Sequence, residues 1–236
     1  MSLRNNQLFP KNHTKENLLK AQKIVASKVI LKDTFDIKNI ATIAGVDQAF
    51  FKDQIISGIV VLDYFTLKII ARAYSIKTIE YPYIPTFLSF REGPAIISAF
   101  KKLTIKPDIL MIDACGINHP RRAGLATHIG VALNIPTIGV AKNILCGTAE
   151  NPEKVGEYNP LRYNNKKIGF LLKSKQGCNP IIVAPGHGVS LDSSIKIIRH
   201  CLRGYKLPEP TRLAHIYVNS IKNDVLTELN LKNNIV

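Results

Sequence analysis

Two β-rich runs joined by a very short link restrict what this chain can fold into more than any other feature. Ile55 to Asp63 and Lys68 to Ile76 are strand-forming runs, and only a short Asp-Tyr-Phe-Thr connection joins them. A link that short cannot carry a crossover, so the two runs read as an antiparallel hairpin. The chain then changes rhythm. Pro94 to Leu103 reads as a helix with proline in its first turn, and Ile109 to Asp113 as an apolar strand. Gly124 to Leu133 reads as a helix, and Pro136 to Val140 as another buried strand. Ile43 to Asp47 is a further short apolar run, while Lys167 to Leu172 and Pro180 to Ala184 read as later strands. A hairpin followed by strand-helix-strand alternation argues for an α/β domain with a mixed central sheet and flanking helices.

The ends of the chain fit the same plan. Residues about 12–31 read as an amphipathic helix with Leu18, Leu19, Ala21, Ile24 and Val25 near helical spacing. Ser190 is placed to cap a helix carrying Leu191, Ile195, Ile198 and Leu202 on one face, with Gly204 placed to end it. Glu209 to His215 lies on a final helix, and Asn230 to Val236 is expected to be loosely held. With no internal repeat or low-complexity linker, residues 1–236 read as one domain with a core over about 40–220.

Charge narrows the partners. Lys plus Arg number 32 against 17 Asp plus Glu, a formal net charge of +15. Such an excess draws polyanions through counterion release, which favours nucleic acid over a merely solvated basic face. Hydrophobic residues make up 46% of the chain, so a sizeable core is available and wholesale disorder is excluded. Cys115, Cys146, Cys178 and Cys201 form no CxxC pair, which argues against a zinc site or a disulfide framework. Met1 to Lys20 is polar, without the apolar segment of a secretory signal, and no run is long enough to span a bilayer. A reduced, cytoplasmic setting is the expectation.

The chemistry points to acids at strand ends. Asp47 and Asp113 each close an apolar run, and ligands of open α/β sheets collect outside the carboxyl ends of strands. If the strands are neighbours, two carboxylates share one cleft, where they repel unless a proton or cation separates them. Mg²⁺ suits such a pair, because it takes a few carboxylates, keeps several waters and lets a substrate phosphate complete its shell. Glu92 adds a third carboxylate from the start of the following helix. Singly, each acid more often caps a helix or a turn; together, on so basic a chain, they favour a metal site. Lys142 follows a third buried strand and is placed to neutralise charge developing on a phosphate. Judged alone, it reads equally as an exposed lysine. Asn118-His119-Pro120-Arg121-Arg122 leads into a helix and reads either as a phosphate grip or as a solvated charged turn. Gly186-His187-Gly188 reads as a flexible turn whose histidine satisfies local backbone groups. His215, alone on a helix, reads as structural.

One loop stands apart. From Tyr83 to Pro94 the chain packs two prolines, an aromatic and an acid-base pair into a dozen residues. Pro82 and Pro85 bracket Tyr83 and hold the backbone stiff, so a bulky ring sits on a rigid loop. Beside a carboxylate in a basic protein, that ring suggests a wedge against stacked bases.

In order, these segments resemble the endonuclease V family from about Ile43 to Tyr217. The motifs are Ala44-Gly45-Val46-Asp47, Tyr83-Ile84-Pro85 through Arg91-Glu92-Gly93-Pro94, Pro107-Asp108 with Ile112-Asp113, and His119-Pro120-Arg121-Arg122. Then come Pro136 to Lys142, Leu145-Cys146-Gly147, Pro185-Gly186-His187 and Pro208 to Arg212. The resemblance implies a ribonuclease-H-like fold and hydrolysis, dependent on Mg²⁺ or Mn²⁺, of the second phosphodiester bond 3′ to a deoxyinosine. It implies Asp47, Asp113 and Glu92 as metal ligands, Lys142 at the scissile phosphate and His215 as a further catalytic residue. Tyr83, with Ile84 and Pro85, resembles the wedge that fills the gap left by an extruded base. His119, Arg121 and Arg122 complete the nucleic-acid contacts. Thr86, Leu88, Ala114 and Gly116 resemble the walls of the base pocket. The chain departs from the family pattern at Ala114-Cys115-Gly116-Ile117, at Asn118, and at Thr86, where glycine is usual. A methyl at Ala114 or a branched side chain at Thr86 narrows that pocket or opposes a φ > 0 backbone.

The implied partner is inosine-containing DNA, with inosine in RNA left open, and the implied state is a monomer. Two other classes stand beside this one. A ribonuclease-H-like nuclease with another structural target shares the acids but has no use for the wedge. A silent nucleic-acid-binding domain keeps the charge but has no use for acids at two strand ends.

Overall fold

Asp108 sets the geometry at the centre of the molecule. Its Oδ2 accepts hydrogen bonds from the backbone of Ala41 (3.0 Å) and Thr42 (2.9 Å) and from Thr42 Oγ1 (3.0 Å). The contact pins the start of β1 (Thr42–Phe51) to the start of β4 (Ile109–Ile112), which run parallel in a register pairing Ile43 with Ile109 and Val46 with Ile112. In this computed structural model, which describes residues 3–233, the two strands lie in the middle of one eight-stranded mixed sheet. The other strands are β2 (Gln54–Asp63), β3 (Ile69–Thr78), β5 (Thr137–Ala141), β6 (Tyr158–Tyr163), β7 (Lys166–Leu172) and β8 (Ile181–His187). Their order is β3-β2-β1-β4-β5-β8-β7-β6. Only β1–β4 and β4–β5 pair in parallel; every other pairing is antiparallel.

The expected hairpin is β2–β3, closed where Asp63 Oδ1 accepts from Thr66 N at 2.8 Å and Thr66 Oγ1 at 2.7 Å. Four readings need correction, the last at the end of the Ser190 helix. β1 does not stop at Asp47: beyond it the strand keeps its antiparallel pairing with β2 as far as Phe51, so Asp47 marks only the end of the parallel pairing with β4. The helix expected from Pro94 begins six residues earlier, as α3 (Leu88–Lys101), and Pro94 lies inside it. Proline there forgoes one helical hydrogen bond, a loss that burial of Phe90, Ala95, Ile96 and Ile97 offsets. Gly186 and His187 belong to β8, and only Gly188 adopts a turn conformation, with φ of 64°. His187 does bond to backbone, but to a distant segment: its Nδ1 accepts from Ile30 N at 3.4 Å.

Helices cover both faces. On one side α1 (Leu3–Leu8), α2 (Lys15–Lys28), α3 and α4 (Leu125–Leu133) enclose Ala44, Val46, Leu110 and Ile112. On the other α5 (Leu191–His200) and α6 (Glu209–Asn233) enclose Ile43, Val60, Ile109 and Met111. Consecutive residues of β1 and β4 thus enter opposite cores, which is why their sequences are apolar throughout. Ser190 caps α5 as expected, accepting from Ser193 N at 3.1 Å, but α5 ends at His200, before Gly204. Of the expected loose end, 230–233 continue α6 and the remainder lies outside the described residues.

The approach of α6 depends on two glycines. A Cβ on Gly45 would lie 1.8 Å from Pro210 O, and one on Gly58 would lie 2.4 Å from Val218 Cγ1. Gly45 is on β1, and Gly58 is the β2 residue paired with Asp47. Bare backbone at these two points lets α6 lie directly on the sheet beside Asp47.

Candidate active site

The pinned register has a chemical result. Thr42 and Asp108 start the strands side by side, and five residues on in each strand come Asp47 and Asp113. Asp113 N donates to Val46 O at 3.2 Å, so the two acids emerge from adjacent strands at one point. Each is met by a cation-capable side chain. Lys142, just past β5, donates to Asp113 Oδ2 at 2.6 Å. His215, on the second turn of α6, meets Asp47 Oδ2 with Nδ1 at 2.7 Å. Asn219 Nδ2 donates to His215 Nε2 at 3.2 Å, so Nδ1 carries the hydrogen directed at Asp47. These residues are 168 positions apart in sequence, and the α6 approach alone brings them together.

Glu92 completes the cluster from α3, where it is the fifth residue rather than the first-turn acid expected. It is 7% exposed, and burial pushes its carboxyl up to about 8; Asp47 adds to the rise, the Arg91 guanidinium opposes it, and Asp113 adds again. Asp47 is also raised, first by burial and then by the charge of Asp113, against its hydrogen bonds from His215 and the Gln48 backbone. Burial lowers the Lys142 ammonium, but its contacts with Asp113 and the charge of Asp47 outweigh that and raise it. Acids that resist ionisation beside one another have room for a compensating positive charge. An all-oxygen donor set of this kind suits a hard divalent cation. Among the described residues no three His, Cys, Asp or Glu side chains form a ready-made cage. One oxygen of each aspartate is engaged, Asp47 Oδ2 by His215 and Asp113 Oδ2 by Lys142.

Beside the acids lies a pocket of about 250 Å³. Its walls include Tyr83, Ile84, Pro85, Thr86, Leu88, Ala114 and His119, and both Asp113 and Lys142 open into it. The pocket and the acid cluster therefore share side chains. Tyr83 stands at the rim, 67% exposed. Thr86 does not forbid a positive φ: it adopts one, 70°, while Ala114 stays out of the left-handed region.

Other expected contacts lie elsewhere. Gly116 is not in the pocket wall; it packs on β8, where a Cβ would meet Pro185 O at 2.3 Å. Asn118 also points inward, its Oδ1 accepting from Gly116 N at 2.7 Å. His119 is buried, with Nε2 at 3.0 Å from Thr86 O and Nδ1 accepting from Arg121 N at 3.1 Å. Burial pushes its imidazole down to about 4, so it is neutral. Arg121 spends its guanidinium on Gln22 Oε1 and on Thr86, whereas Arg122 is exposed. Of the two arginines expected to grip phosphate, Arg122 alone keeps its side chain exposed. Cys115 does line the pocket, as its segment suggested, whereas sequence reasoning missed Gln22 and Ile144 and gave Leu145 no place in the pocket wall. Gln22 carried a signal: it interrupts the apolar stripe of α2 between Leu18 and Val25 and is fully buried.

The sheet order, the helices on both faces and the acids at its parallel centre define a ribonuclease-H-like nuclease. A family model described as Endonuclease V matches residues 23–216, and the chain belongs to the endonuclease V family. Endonuclease V of Dictyoglomus thermophilum is 43% identical over 209 residues, 88% of this chain and 91% of that protein. The crystal structure of Endonuclease V from Bacillus subtilis matches with a TM-score of 0.88 at 31% identity, covering 92% of this chain and 96% of that one. Endonuclease V of Ciona intestinalis matches with a TM-score of 0.79 at 23% identity, over 89% of this chain and 98% of its own. That protein was solved with a 24mer DNA containing an inosine followed by a ribo-adenosine. The present chain is thus an endonuclease, and among its described residues no helix is long and apolar enough to cross a membrane.

Proposed function

We propose that this endonuclease recognises inosine in nucleic acid and hydrolyses the second phosphodiester bond 3′ to it, leaving a 3′-hydroxyl and a 5′-phosphate. The observation that carries this reading is the sharing of Asp113 and Lys142 between the pocket and the acid cluster. A base held in that pocket puts its own strand across the acids.

The basic chain draws the polyanion in, and Tyr83 fills the stack as the base turns into the pocket. Extrusion costs a few kcal/mol and least for a weakly paired base, which gives inosine an advantage before any contact is made. Asp47, Asp113 and Glu92 would hold Mg²⁺, with Mn²⁺ able to substitute. When bound, such an ion polarises the scissile phosphate and acidifies an attacking water. Lys142 is placed to share the charge that develops on the phosphate. His215 orients Asp47 through its Nδ1 hydrogen. The Ciona endonuclease V, solved with inosine-containing DNA, supports inosine as the target.

The test is one gel. Inosine-containing and plain oligonucleotides, as DNA and as RNA, are incubated with Mg²⁺ or EDTA. Cleavage one nucleotide beyond inosine, lost in EDTA and in Asp113→Ala, is the expected result. Equal cutting of the plain strand removes inosine recognition, and full activity of Asp113→Ala removes the acid cluster from the chemistry.

A further inference from the structure

The wedge loop contains a residue that its local chemistry does not favour. Phe87 N donates to Ile84 O at 3.0 Å, closing a β-turn with Pro85 second and Thr86 third. Thr86 has a φ of 70°. Proline followed by positive φ makes this a type II turn, whose third position favours glycine or asparagine. A β-branched residue persists there only when its surroundings impose the conformation.

Those surroundings converge on Thr86 from two distant segments. Its carbonyl oxygen accepts from Gln22 Nε2 at 2.6 Å, His119 Nε2 at 3.0 Å and Arg121 Nη2 at 3.1 Å. The same Nη2 donates to Thr86 Oγ1 at 2.5 Å, and Arg121 Nε donates to Gln22 Oε1 at 2.5 Å. The guanidinium lies over the Phe87 ring, 4.8 Å from its centroid. Arg121 thus grips both oxygens of Thr86 while Gln22 holds Arg121 in place.

We propose that Arg121, braced by Gln22, is a positioning residue that imposes the left-handed conformation on Thr86 and so holds Tyr83 and Ile84 in place at the pocket rim. The inference rests on the reading of Tyr83 as a wedge and assigns Arg121 to the loop, not to phosphate. If Thr86 relaxed to negative φ, the Pro85–Thr86 peptide would turn over to give a type I turn, reversing the Pro85 carbonyl and the Thr86 N–H between the clamped residue and Ile84. Left-handed residues other than glycine carry enough strain that a released loop would occupy the seated form about one time in ten or less. Apparent affinity falls in the same proportion.

The experiment compares wild type, Arg121→Ala, Thr86→Gly and the double variant. Glycine takes positive φ without strain, so it removes the need for the clamp. Two readouts are taken: amide exchange over residues 84–88 in the free protein, and affinity for inosine-containing and plain oligonucleotides in EDTA. Arg121→Ala is expected to speed exchange in the loop and to weaken inosine binding about tenfold, with plain binding changed much less. The double variant is expected to return to within about threefold of wild type. Equal weakening for both oligonucleotides with no rescue by glycine overturns the proposal, because it makes Arg121 a phosphate contact. Unchanged exchange in Arg121→Ala overturns it as well. A wild type that does not prefer inosine removes the functional reading instead, and the exchange data still decide whether Arg121 controls the turn.

Discussion

Replacing Glu92 by glutamine isolates the tension stored in the acid cluster. Gln is nearly isosteric with a protonated Glu, so the change removes a titration and little packing. Glu92 titrates at about 8 in the folded protein against an ordinary 4.5. The folded state therefore keeps a proton that the unfolded chain releases. Its favourable contribution is complete below pH 4.5 and is lost as pH rises toward 8. The slope is up to about 1.4 kcal/mol per pH unit, which sums to roughly 5 kcal/mol as an upper figure. That is a large part of the stability of an ordinary domain. The assay is urea unfolding of the metal-free protein from pH 5 to 8.5. Near pH 5 the two proteins should match, and above pH 8 Glu92→Gln should be the more stable by several kcal/mol. The slope that remains in the variant combines Asp47, raised for similar reasons, with His119 and His128, which burial holds down to about 4 and which act in the opposite sense. Adding Mg²⁺ at pH 8 should stabilise wild type more than the variant. A stability difference that does not change with pH would refute the reasoning, since it would mean that Glu92 is already ionised in the fold.

Two further predictions follow from single contacts. Tyr83→Ala should weaken binding to inosine-containing strands while leaving stabilisation by Mg²⁺ unchanged; equal affinity of variant and wild type for inosine would end the wedge assignment. Gly45→Ala puts a methyl 1.8 Å from Pro210 O and should cost about 1–3 kcal/mol as α6 is pushed from the sheet. At roughly 2–4 °C per kcal/mol, the melting temperature should fall and nicking activity with it, because His215 leaves Asp47. An unchanged melting temperature would show that α6 does not rest on Gly45.

The strands that carry the chemistry were readable because they are buried on both faces. Ile109 to Ile112 is an unbroken apolar run and Pro136 to Val140 is broken only by Thr137, and the structure returns both as strands. The far half of β1 was not readable, because past Asp47 it is only Gln48-Ala49-Phe50-Phe51, too short a run to show a period. Pro94 misplaced the start of α3, since proline is commoner in a first turn than inside a helix. β6 went unseen because it carries Pro160, which an edge strand tolerates and a central one does not. Of the site, the pairing of Asp47 with Asp113 followed from two strand ends, but His215 came only from family likeness. No local pattern announces a contact between residues 168 positions apart. Arg121 misled for the opposite reason: its charge suggested a surface role, and only the fold shows its partners.

The knot at Asp108 also limits how the gene can change. Asp108 and Thr42 act as the zero mark of a ruler, and Asp47 and Asp113 are read off at the same distance along each strand. Because side chains alternate between faces, one residue inserted between Asp108 and Asp113 would turn the second carboxylate toward α3 and away from Lys142. A deletion does the same. The segments 42–47 and 108–113 are therefore fixed in length whatever apolar residues fill them, so drift there is confined to substitution. Length variation has free scope only in loops outside this span.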